Sequence, residues 1–296
     1  MKYHSPVLLM ESVDALNIKP NGVYVDVTFG GGGHSREILK RLDKDGRLFA
    51  FDQDPDAAAN LINDERFTLI AQNFRFMKNW LGVQGVKSVD GVLADLGVSS
   101  HQFDSQQRGF SIRFDAPLDM RMDMKRTLTA EQVVNEYAWE QLAQMLRQYG
   151  EVERAGAVAT AIIANRPLYT TAELIFALDR MAQRGKEHKF HAQVFQALRI
   201  EVNEELQALK DMLWQSNDLL KEEGRLVVIS YHSLEDRLAK DFIKTGNFEG
   251  EPQKDFFGNL IRPLKPLTTK PVIPREEEIT TNTRARSAKM RVAEKL

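Results

Sequence analysis

A run of four glycines followed at a distance by an acidic residue is the part of this chain best suited to chemistry. The glycines are Gly30 to Gly33, and Asp52 lies 22 residues after Gly30. Glycine lets the backbone approach a ligand closely, and in nucleotide-binding enzymes an acid about 20 residues further on accepts hydrogen bonds from ribose hydroxyls. The pattern therefore predicts a nucleotide pocket formed by the glycine loop and Asp52.

The glycine loop differs from two common nucleotide-binding loops. No Lys-Ser or Lys-Thr pair follows the glycines, and they lack the spaced G-x-G-x-x-G of dinucleotide enzymes. A glycine loop with an acid at the end of the second strand also suits S-adenosylmethionine, which has ribose and adenine but no phosphate. The loop by itself leaves open a methyltransferase, a dehydrogenase or a purely structural turn.

Two further polar side chains follow apolar runs that are typical of strands. Asp95 ends one run, and His232 comes just after another. At a strand's carboxyl end each could bind a ligand or move a proton, and the alternative for Asp95 is a structural N-cap or turn residue. Ser233 beside His232 does not favour a hydrolase, since neighbouring strand positions face opposite sides and no G-x-S-x-G motif is present. Ser233 and Asp236 could instead cap the next helix.

The segment 108–123 mixes Arg and Asp with Phe and Met and has no helical or strand period. Arg binds phosphate and carboxylate groups, and Phe can stack on a base. We therefore treat Arg108 and Arg121 as candidate substrate contacts. An internal salt-bridge network among these Arg and Asp residues is the alternative.

The C-terminal segment is basic although the whole chain carries a net charge of −2. Residues 262–296 contain nine Lys or Arg against four Glu. Arg284, Arg286 and Lys289 are separated by small residues, which suits a surface that faces phosphate. A solvated charged tail is the alternative. Residues 289–293 are predicted to form a last edge strand with its charges turned outward.

Composition sets limits on the class of protein. The 296 residues are 43% apolar and 28% charged, as in an ordinary globular protein. The chain has no cysteine, so disulfides, thiolate zinc sites and Cys nucleophiles are excluded, which is compatible with the cytoplasm. The chain has no stretch of 18 apolar residues, so no membrane span is predicted. The first ten residues lack the pattern of a signal peptide. His188 and His191 have no third ligand nearby in sequence, so no metal is expected.

The elements that would position these side chains alternate between strands and helices. Apolar alternation predicts four early strands, and helical periods fall between them, a pattern typical of a parallel, doubly wound α/β sheet. A fifth strand, 225–230, follows a long helix predicted at 192–220. The early strands are predicted at 24–29, 47–52, 67–72 and 88–95, and the helices at 34–42, 55–61 and 75–81.

The strand pattern stops between about 103 and 195, where four helices are predicted and Thr171 is expected to cap the last of them. The economical domain division is a discontinuous sheet domain, 1–103 and 196–296, with an inserted helical domain, 104–195. An insertion after the fourth strand would overhang the ligand crevice at the carboxyl ends of the strands. This position predicts a lid or a substrate-recognition domain, and a helical support for an oligomer interface is the alternative. The four helices are predicted at 130–137, 139–149, 151–165 and 171–184.

Eight ordered blocks resemble the bacterial methyltransferases that modify the exocyclic N4 of a cytidine in small-subunit ribosomal RNA. They cover nearly the whole chain in the family's order, which is far more specific than one glycine loop. The blocks are TFGGGGHS at 28–35, FDQDP at 51–55, DLGVSS at 95–100, RGFS at 108–111, PLDMRMD at 117–123, FQALRI at 195–200, SYHSLEDR at 230–237 and RARSAK at 284–289.

The resemblance implies a class I methyltransferase fold, which is a Rossmann-like doubly wound sheet, with an inserted all-helical domain. It also implies S-adenosylmethionine as the cofactor. Phe74 and Gln102 are expected as cofactor contacts from the resemblance alone, whereas the loop, Asp52 and Asp95 also follow from the residue pattern. Carried over by position, the family's cofactor contacts are Gly32, Gly33, His34, Asp52, Phe74, Asp95 and Gln102.

The implied reaction needs a group that accepts a proton from the cytosine N4 amine, whose lone pair is delocalised into the ring. Many amino-methyltransferases use an Asp/Asn-Pro-Pro-Tyr/Phe turn after the fourth strand, but this chain has Asp-Leu-Gly-Val at 95–98. The acceptor therefore stays open among several candidates. The catalytic candidates are Asp95, His232, Asp115 and Asp119, and the RNA-binding candidates are Arg108, Arg121, Arg284, Arg286 and Lys289.

The expected partner is small-subunit ribosomal RNA, in an assembled or nearly assembled particle, with no membrane and with a homodimer left open. Such an enzyme would be cytoplasmic. Two alternatives remain: a methyltransferase of a protein or a small molecule, and a non-catalytic ribosome assembly factor that holds the cofactor as a stabiliser. The clustered Arg and Lys residues argue against a small-molecule substrate.

Overall fold

A computed structural model of the protein describes residues 6–98, 103 and 107–296. The chain divides into two compact units. The sheet unit comprises Met1–Gly97 and Leu206–Leu296, and the second unit, Val98–Glu205, has helices as its regular elements in the part described. We predicted an insertion at 104–195, and one helix, Glu187–Asn203, runs across residue 195 without a break.

The described part of the sheet unit contains seven strands. They are β1 Val23–Asp26, β2 Arg47–Phe51, β3 Phe67–Ile70, β4 Val89–Asp95, β5 Leu220–Ser230, β6 Leu264–Pro266 and β7 Lys289–Lys295. The strands lie in the order β3-β2-β1-β4-β5-β7-β6. The first five are parallel, and β7 is antiparallel to both of its neighbours. The predicted doubly wound parallel sheet is confirmed.

Each face of the sheet is covered by its own apolar core, because successive strand residues point to opposite faces. On β4, Val92 and Ala94 belong to one core and Leu93 to the other. Helices pack on both faces, which is why the central parallel strands are largely apolar. The helices of the described chain are α1 Leu9–Ala15, α2 Gly33–Arg41, α3 Met77–Val83, α4 Ala130–Glu136, α5 Trp139–Gly150, α6 Ala155–Ala164, α7 Thr171–Leu178, α8 Glu187–Asn203, α9 Glu205–Leu219, α10 Ser233–Thr245 and α11 Glu276–Thr281.

The single long helix predicted at 192–220 is wrong, because α8 and α9 are separate helices. Glu204 between them has φ +52°, in the left-handed region that ends a helix. The preceding Asn203 is buried, and its side chain accepts a hydrogen bond from the Met122 amide at 2.7 Å and donates one to the Met120 carbonyl at 2.8 Å. The helical apolar period continues across this break, so the local pattern does not reveal it.

The prediction that 289–293 forms an edge strand with outward charges is wrong. Strand β7 lies between β5 and β6, so β6 is at the edge. Lys289 is exposed, but Arg291 is buried and forms two hydrogen bonds to Asp236, at 2.6 and 3.1 Å. The charge of Arg291 can be buried because Asp236 pairs with it in bidentate geometry.

Thr171 was expected to cap its helix, but Thr170 is the capping residue of α7. The Thr170 hydroxyl accepts from the Glu173 amide at 3.3 Å, and the Glu173 carboxylate accepts from the Thr170 amide at 3.0 Å. This is a capping box. The Thr171 hydroxyl donates to the Phe114 carbonyl instead. The helix predicted at 55–61 is a 3₁₀ helix, Pro55–Asn60.

Candidate functional site

The carboxyl ends of the five parallel strands share one edge of the sheet. Strand β1 lies at the centre of the parallel part, with β2 on one side and β4 on the other. The chain order reverses there, which is where ligands bind in open α/β sheets. The glycine loop follows β1 at this point, and Asp95 ends β4 beside it. The elements thus bring together the loop and both acids that the sequence singled out.

The glycine loop has a backbone that other residues could not easily adopt. Gly32 is the N-cap of α2 and has φ +74°, in the left-handed region that suits glycine. A Cβ on Gly33 would collide with the ring of Pro6. A Cβ on Gly30 would have none of the described atoms within 4 Å, so the space beside this end of the loop is open. The loop can therefore bring bare backbone against a ligand.

Asp52 joins the end of β2 to the glycine loop. Its Oδ2 accepts a hydrogen bond from the Gly30 amide at 2.8 Å, and its Oδ1 accepts one from the Asp54 amide at 2.8 Å. Burial raises the pKa of Asp52 to about 6, although both amide bonds favour the charged form. Each carboxylate oxygen has a second lone pair, so an ionised Asp52 can also accept from ribose hydroxyls.

Asp26 is a buried acid beside the glycine loop that the sequence reasoning missed. Asp26 is fully buried at the end of β1 and accepts from the Ser35 hydroxyl at 2.6 Å and the Thr28 amide at 3.1 Å. The Thr28 hydroxyl accepts from the Asp95 amide at 2.7 Å, which ties β1 to β4. The sequence feature that could have identified Asp26 is its position as an acid inside the otherwise apolar run that forms β1. Such a residue must find hydrogen-bond donors when it is buried.

Asp95 lies in a partly buried polar cluster. Its Oδ1 accepts a hydrogen bond from the Tyr231 hydroxyl at 2.7 Å, and its Oδ2 lies 3.8 Å from His34 Nδ1. Burial raises the pKa of Asp95 to about 6, against the opposing effects of His34 and Tyr231. Burial also raises the pKa of the Tyr231 hydroxyl well above its ordinary value, so it remains a donor. The sequence reasoning did not single out Tyr231.

His34, expected as a cofactor contact, is itself buried. Its Nε2 lies 3.2 Å from the Val7 carbonyl oxygen, while Nδ1 faces Asp95. The ring thus packs beneath the start of α2 and borders the Asp95 cluster.

His232 lies at the N-cap of α10, directly after β5. Its Nε2 is 3.2 Å from Glu235 Oε1, and Glu235 Oε2 accepts from the Tyr231 amide at 2.9 Å. The buried Glu235 therefore connects His232 to the residue that bonds Asp95. The suggested helix cap by Asp236 is wrong, because His232 is the N-cap and Asp236 pairs with Arg291.

Phe74 begins a short 3₁₀ helix just after β3 and is partly buried against the core. The preceding Asn73 donates from its side-chain amide to Gln53 Oε1 at 2.7 Å, which links the ends of β3 and β2. Phe74 therefore belongs to the same sheet edge as Asp52. Gln102, the remaining predicted cofactor contact, lies outside the described residues.

The candidates in 108–123 belong to the second unit, and most are used in contacts within it. Arg121 donates to both oxygens of Asp119, at 2.9 and 2.7 Å. Burial by itself would raise the pKa of Asp119, but the hydrogen bonds from Arg121 outweigh it and lower that pKa. Arg108 donates to the Arg121 carbonyl at 2.8 Å, and exposed Asp115 accepts from the Ala172 amide at 3.2 Å.

The C-terminal candidates lie at the start of β7 and in the 3₁₀ helix Thr283–Ser287 before it. Arg286 and Lys289 are exposed, whereas Arg284 is half-buried. The Lys289 Nζ lies 3.6 Å from Asp236 Oδ2. Arg286 is thus exposed in a short 3₁₀ helix, and Lys289 forms an ion pair with Asp236.

The sequence matches the MraW methylase family over residues 1–296. The chain belongs to this family. A relative from Flavobacterium johnsoniae, named ribosomal RNA small subunit methyltransferase H, is 57% identical over 100% of this chain and 99% of its own length. Relatives of the same name from Cytophaga hutchinsonii and Bacteroides fragilis (strain YCH46) are 56% and 54% identical, over 99% of this chain and 99% and 97% of theirs.

Membership of the family confirms the predicted resemblance and the assignment as an enzyme that uses S-adenosylmethionine. It gives no support to a non-catalytic assembly factor or to a methyltransferase of proteins or small molecules. Among the described residues, no helix is long and apolar enough to cross a membrane.

Proposed function

We propose that the protein transfers the methyl group of S-adenosylmethionine to the exocyclic N4 of a cytidine in small-subunit ribosomal RNA. The observation that carries this proposal is the full-length match to relatives named ribosomal RNA small subunit methyltransferase H, at up to 58% identity. The glycine loop and two acids at one sheet edge supply a pocket that suits the methyl donor.

The sheet edge fits S-adenosylmethionine by the chemistry of its groups. Open space beside Gly30 and the Asp52 carboxylate that bonds the Gly30 amide suit an adenosine whose ribose hydroxyls donate to Asp52. Gly30 leaves room for a ligand to approach the backbone, whereas the protein's own side chains pack beside Gly32 and Gly33. Phe74 offers an apolar wall. When bound, the cofactor supplies a methyl group on a positively charged sulfur.

Asp95 is our preferred proton acceptor among the four candidates. When the new N–C bond forms and the C–S bond breaks, the N4 amine must lose a proton, and a carboxylate can accept it. With a pKa near 6, Asp95 is mostly ionised at neutral pH yet more basic than an ordinary carboxylate. Tyr231 would hold one oxygen and leave the other for the amine.

The other candidates are less well suited to accept the proton. His232 lies within 3.2 Å of buried Glu235, which suits a role in holding the turn after β5. Asp119 is held by Arg121, and the contact lowers its pKa and its basicity. Asp115 is exposed and accepts a hydrogen bond from the Ala172 amide, which suits a structural contact. We assign these three residues to supporting contacts.

We propose that the second unit binds the RNA substrate. Support comes from four exposed cations within ten residues, Arg180, Arg184, Lys186 and Lys189. In this segment the Glu187 carboxylate accepts from the Gly185 amide. If these cations contact phosphate, replacing Arg180 and Arg184 with Gln should flatten the salt dependence of RNA binding, because fewer counterions are released. If the slope of log affinity against log salt concentration is unchanged, Arg180 and Arg184 are not RNA contacts.

We also propose that the RNA is methylated in an assembled or nearly assembled particle in the cytoplasm, and that the chain can form a homodimer. The base must be unstacked to reach a pocket, as base-modifying enzymes require. Comparing initial rates on protein-free RNA and on small subunits tests the first point. The mass of the protein in solution tests the second.

The experiment for the activity uses small subunits that lack the modification and S-adenosylmethionine with a labelled methyl group. We expect label on N4 of one cytidine after digestion to nucleosides. Asp95→Asn should abolish most of the transfer while donor binding persists, and Asp64→Asn, at a surface ion pair with Arg66, should have no effect. Label in ribosomal protein, or on another base, would refute the proposal.

A further inference from the structure

Two adjacent phenylalanines in the sheet unit are among the most exposed large apolar residues described. Phe256 is 98% exposed and Phe257 is 85% exposed. Their rings meet edge to face, with centroids 5.7 Å apart. Leu260 and Ile261, 44% and 53% exposed, extend the apolar surface. Contiguous exposed apolar surface of this kind marks interaction sites in soluble proteins.

The phenylalanines are carried by a turn that is held together by its own hydrogen bonds. Asp255 accepts from the Phe257 and Asn259 amides, each at 2.8 Å, and from the Asn259 side chain at 3.0 Å. Lys254 and Leu260 pair in an antiparallel bridge, and Gly258 has φ +86°. These contacts lower the pKa of Asp255, with the Asn259 side chain contributing most, and they preorganise the exposed rings.

Basic side chains accompany the exposed rings of the hairpin. Residues 249–270 contain four cations, namely Lys254, Arg262, Lys265 and Lys270, and three acids, Glu249, Glu251 and Asp255. The carboxylate of Asp255 is used within the turn. Exposed aromatic rings beside basic residues are typical of surfaces that bind unpaired nucleic acid, where bases stack on the rings and cations meet the backbone.

We propose that the hairpin 254–260 is an RNA-binding element in which Phe256 and Phe257 stack on unpaired bases of the substrate RNA. This inference rests on the proposed function, because it takes RNA as the substrate. The hairpin belongs to the sheet unit and is separate in sequence from every RNA contact predicted above. It would add affinity for RNA without touching the methyl donor.

The test compares the double variant Phe256→Ala/Phe257→Ala with wild type in binding to protein-free small-subunit RNA. Stacking is worth roughly 1–3 kcal/mol per base, so one lost stack predicts an affinity about 5- to 150-fold weaker. Val83→Ala is the control, because Val83 is 73% exposed at the end of α3 and lies in none of the proposed RNA or cofactor contacts. Calorimetric affinity for S-adenosylmethionine should stay the same in all variants.

A second pair of variants separates stacking from a general apolar contact. Phe256→Tyr/Phe257→Tyr keeps the aromatic faces and should retain RNA affinity, whereas Phe256→Leu/Phe257→Leu keeps apolar area and should lose it. Equal affinity of the Ala and wild-type proteins for RNA would overturn the inference, even if the wild type methylates N4 normally. Weaker binding to particles but not to protein-free RNA would also overturn it, in favour of a ribosomal protein as partner.

Discussion

The replacement Asp95→Asn should remove activity and yet stabilise the folded protein at alkaline pH. Burial raises the pKa of Asp95 from its ordinary 3.8 to about 6, so the ionised side chain is less favourable in the folded chain than in the unfolded chain. At 1.36 kcal/mol for each pKa unit, ionised Asp95 costs up to about 3 kcal/mol at pH 8. Asparagine is neutral, and its oxygen can still accept from the Tyr231 hydroxyl.

The direction of the Asp95 pKa shift determines how the stabilisation by Asp95→Asn depends on pH. A folded-state pKa above the unfolded value makes the cost largest at high pH, and the cost shrinks as pH falls through 6 towards 4. The stabilisation by Asp95→Asn should therefore be up to about 3 kcal/mol at pH 8 and about 1 kcal/mol at pH 4.5. Urea unfolding at both pH values measures it.

Asp64→Asn provides a control of opposite sign. Hydrogen bonds from Arg66 lower the pKa of Asp64 to about 2, so its charge favours the folded state at neutral pH. Removing that charge should destabilise the protein slightly at pH 8. The reasoning about Asp95 is refuted if Asp95→Asn proves less stable than wild type at pH 8, since its ionised form would then contribute net stability.

Three further predictions concern activity and binding. The rate of methyl transfer should fall as the pH drops below about 6, because Asp52 and Asp95 both have a pKa of about 6. Since both must be ionised, the slope of log rate against pH should approach about 2 at low pH. A flat profile between about pH 5 and 7 would contradict both roles. Asp52→Ala should weaken S-adenosylmethionine binding about tenfold or more while the fold persists, through loss of the ribose acceptor, and unchanged calorimetric affinity would retire the assignment. Arg284→Ala/Arg286→Ala should weaken RNA binding more than cofactor binding in parallel titrations, and equal losses would indicate a structural role.

Much of the site was predictable because its parts are encoded locally. The glycine run, the acid after the second strand and Asp95 after the fourth are short patterns whose geometry follows from backbone freedom and strand alternation. The parallel sheet follows from the regular spacing of strands and helices, so the carboxyl edge on which Asp52 and Asp95 meet could be expected in advance.

Contacts between distant segments could not be predicted in the same way. Tyr231 and Asp95 are 136 residues apart, and they meet because β4 and β5 are neighbours in the sheet. The buried pair of Arg291 with Asp236 likewise depends on β7 entering between β5 and β6. Neither pairing leaves a periodic pattern in the chain.

The sequence by itself determined the parallel sheet, the glycine loop and the acid that faces it, because backbone freedom and side-chain alternation act over a few residues. The tertiary structure alone decided the partners of Asp95, the interior position of β7 and the helix break at Glu204. These depend on strand order and on buried hydrogen bonds between segments far apart in the chain, and burial is what makes such polar pairings obligatory.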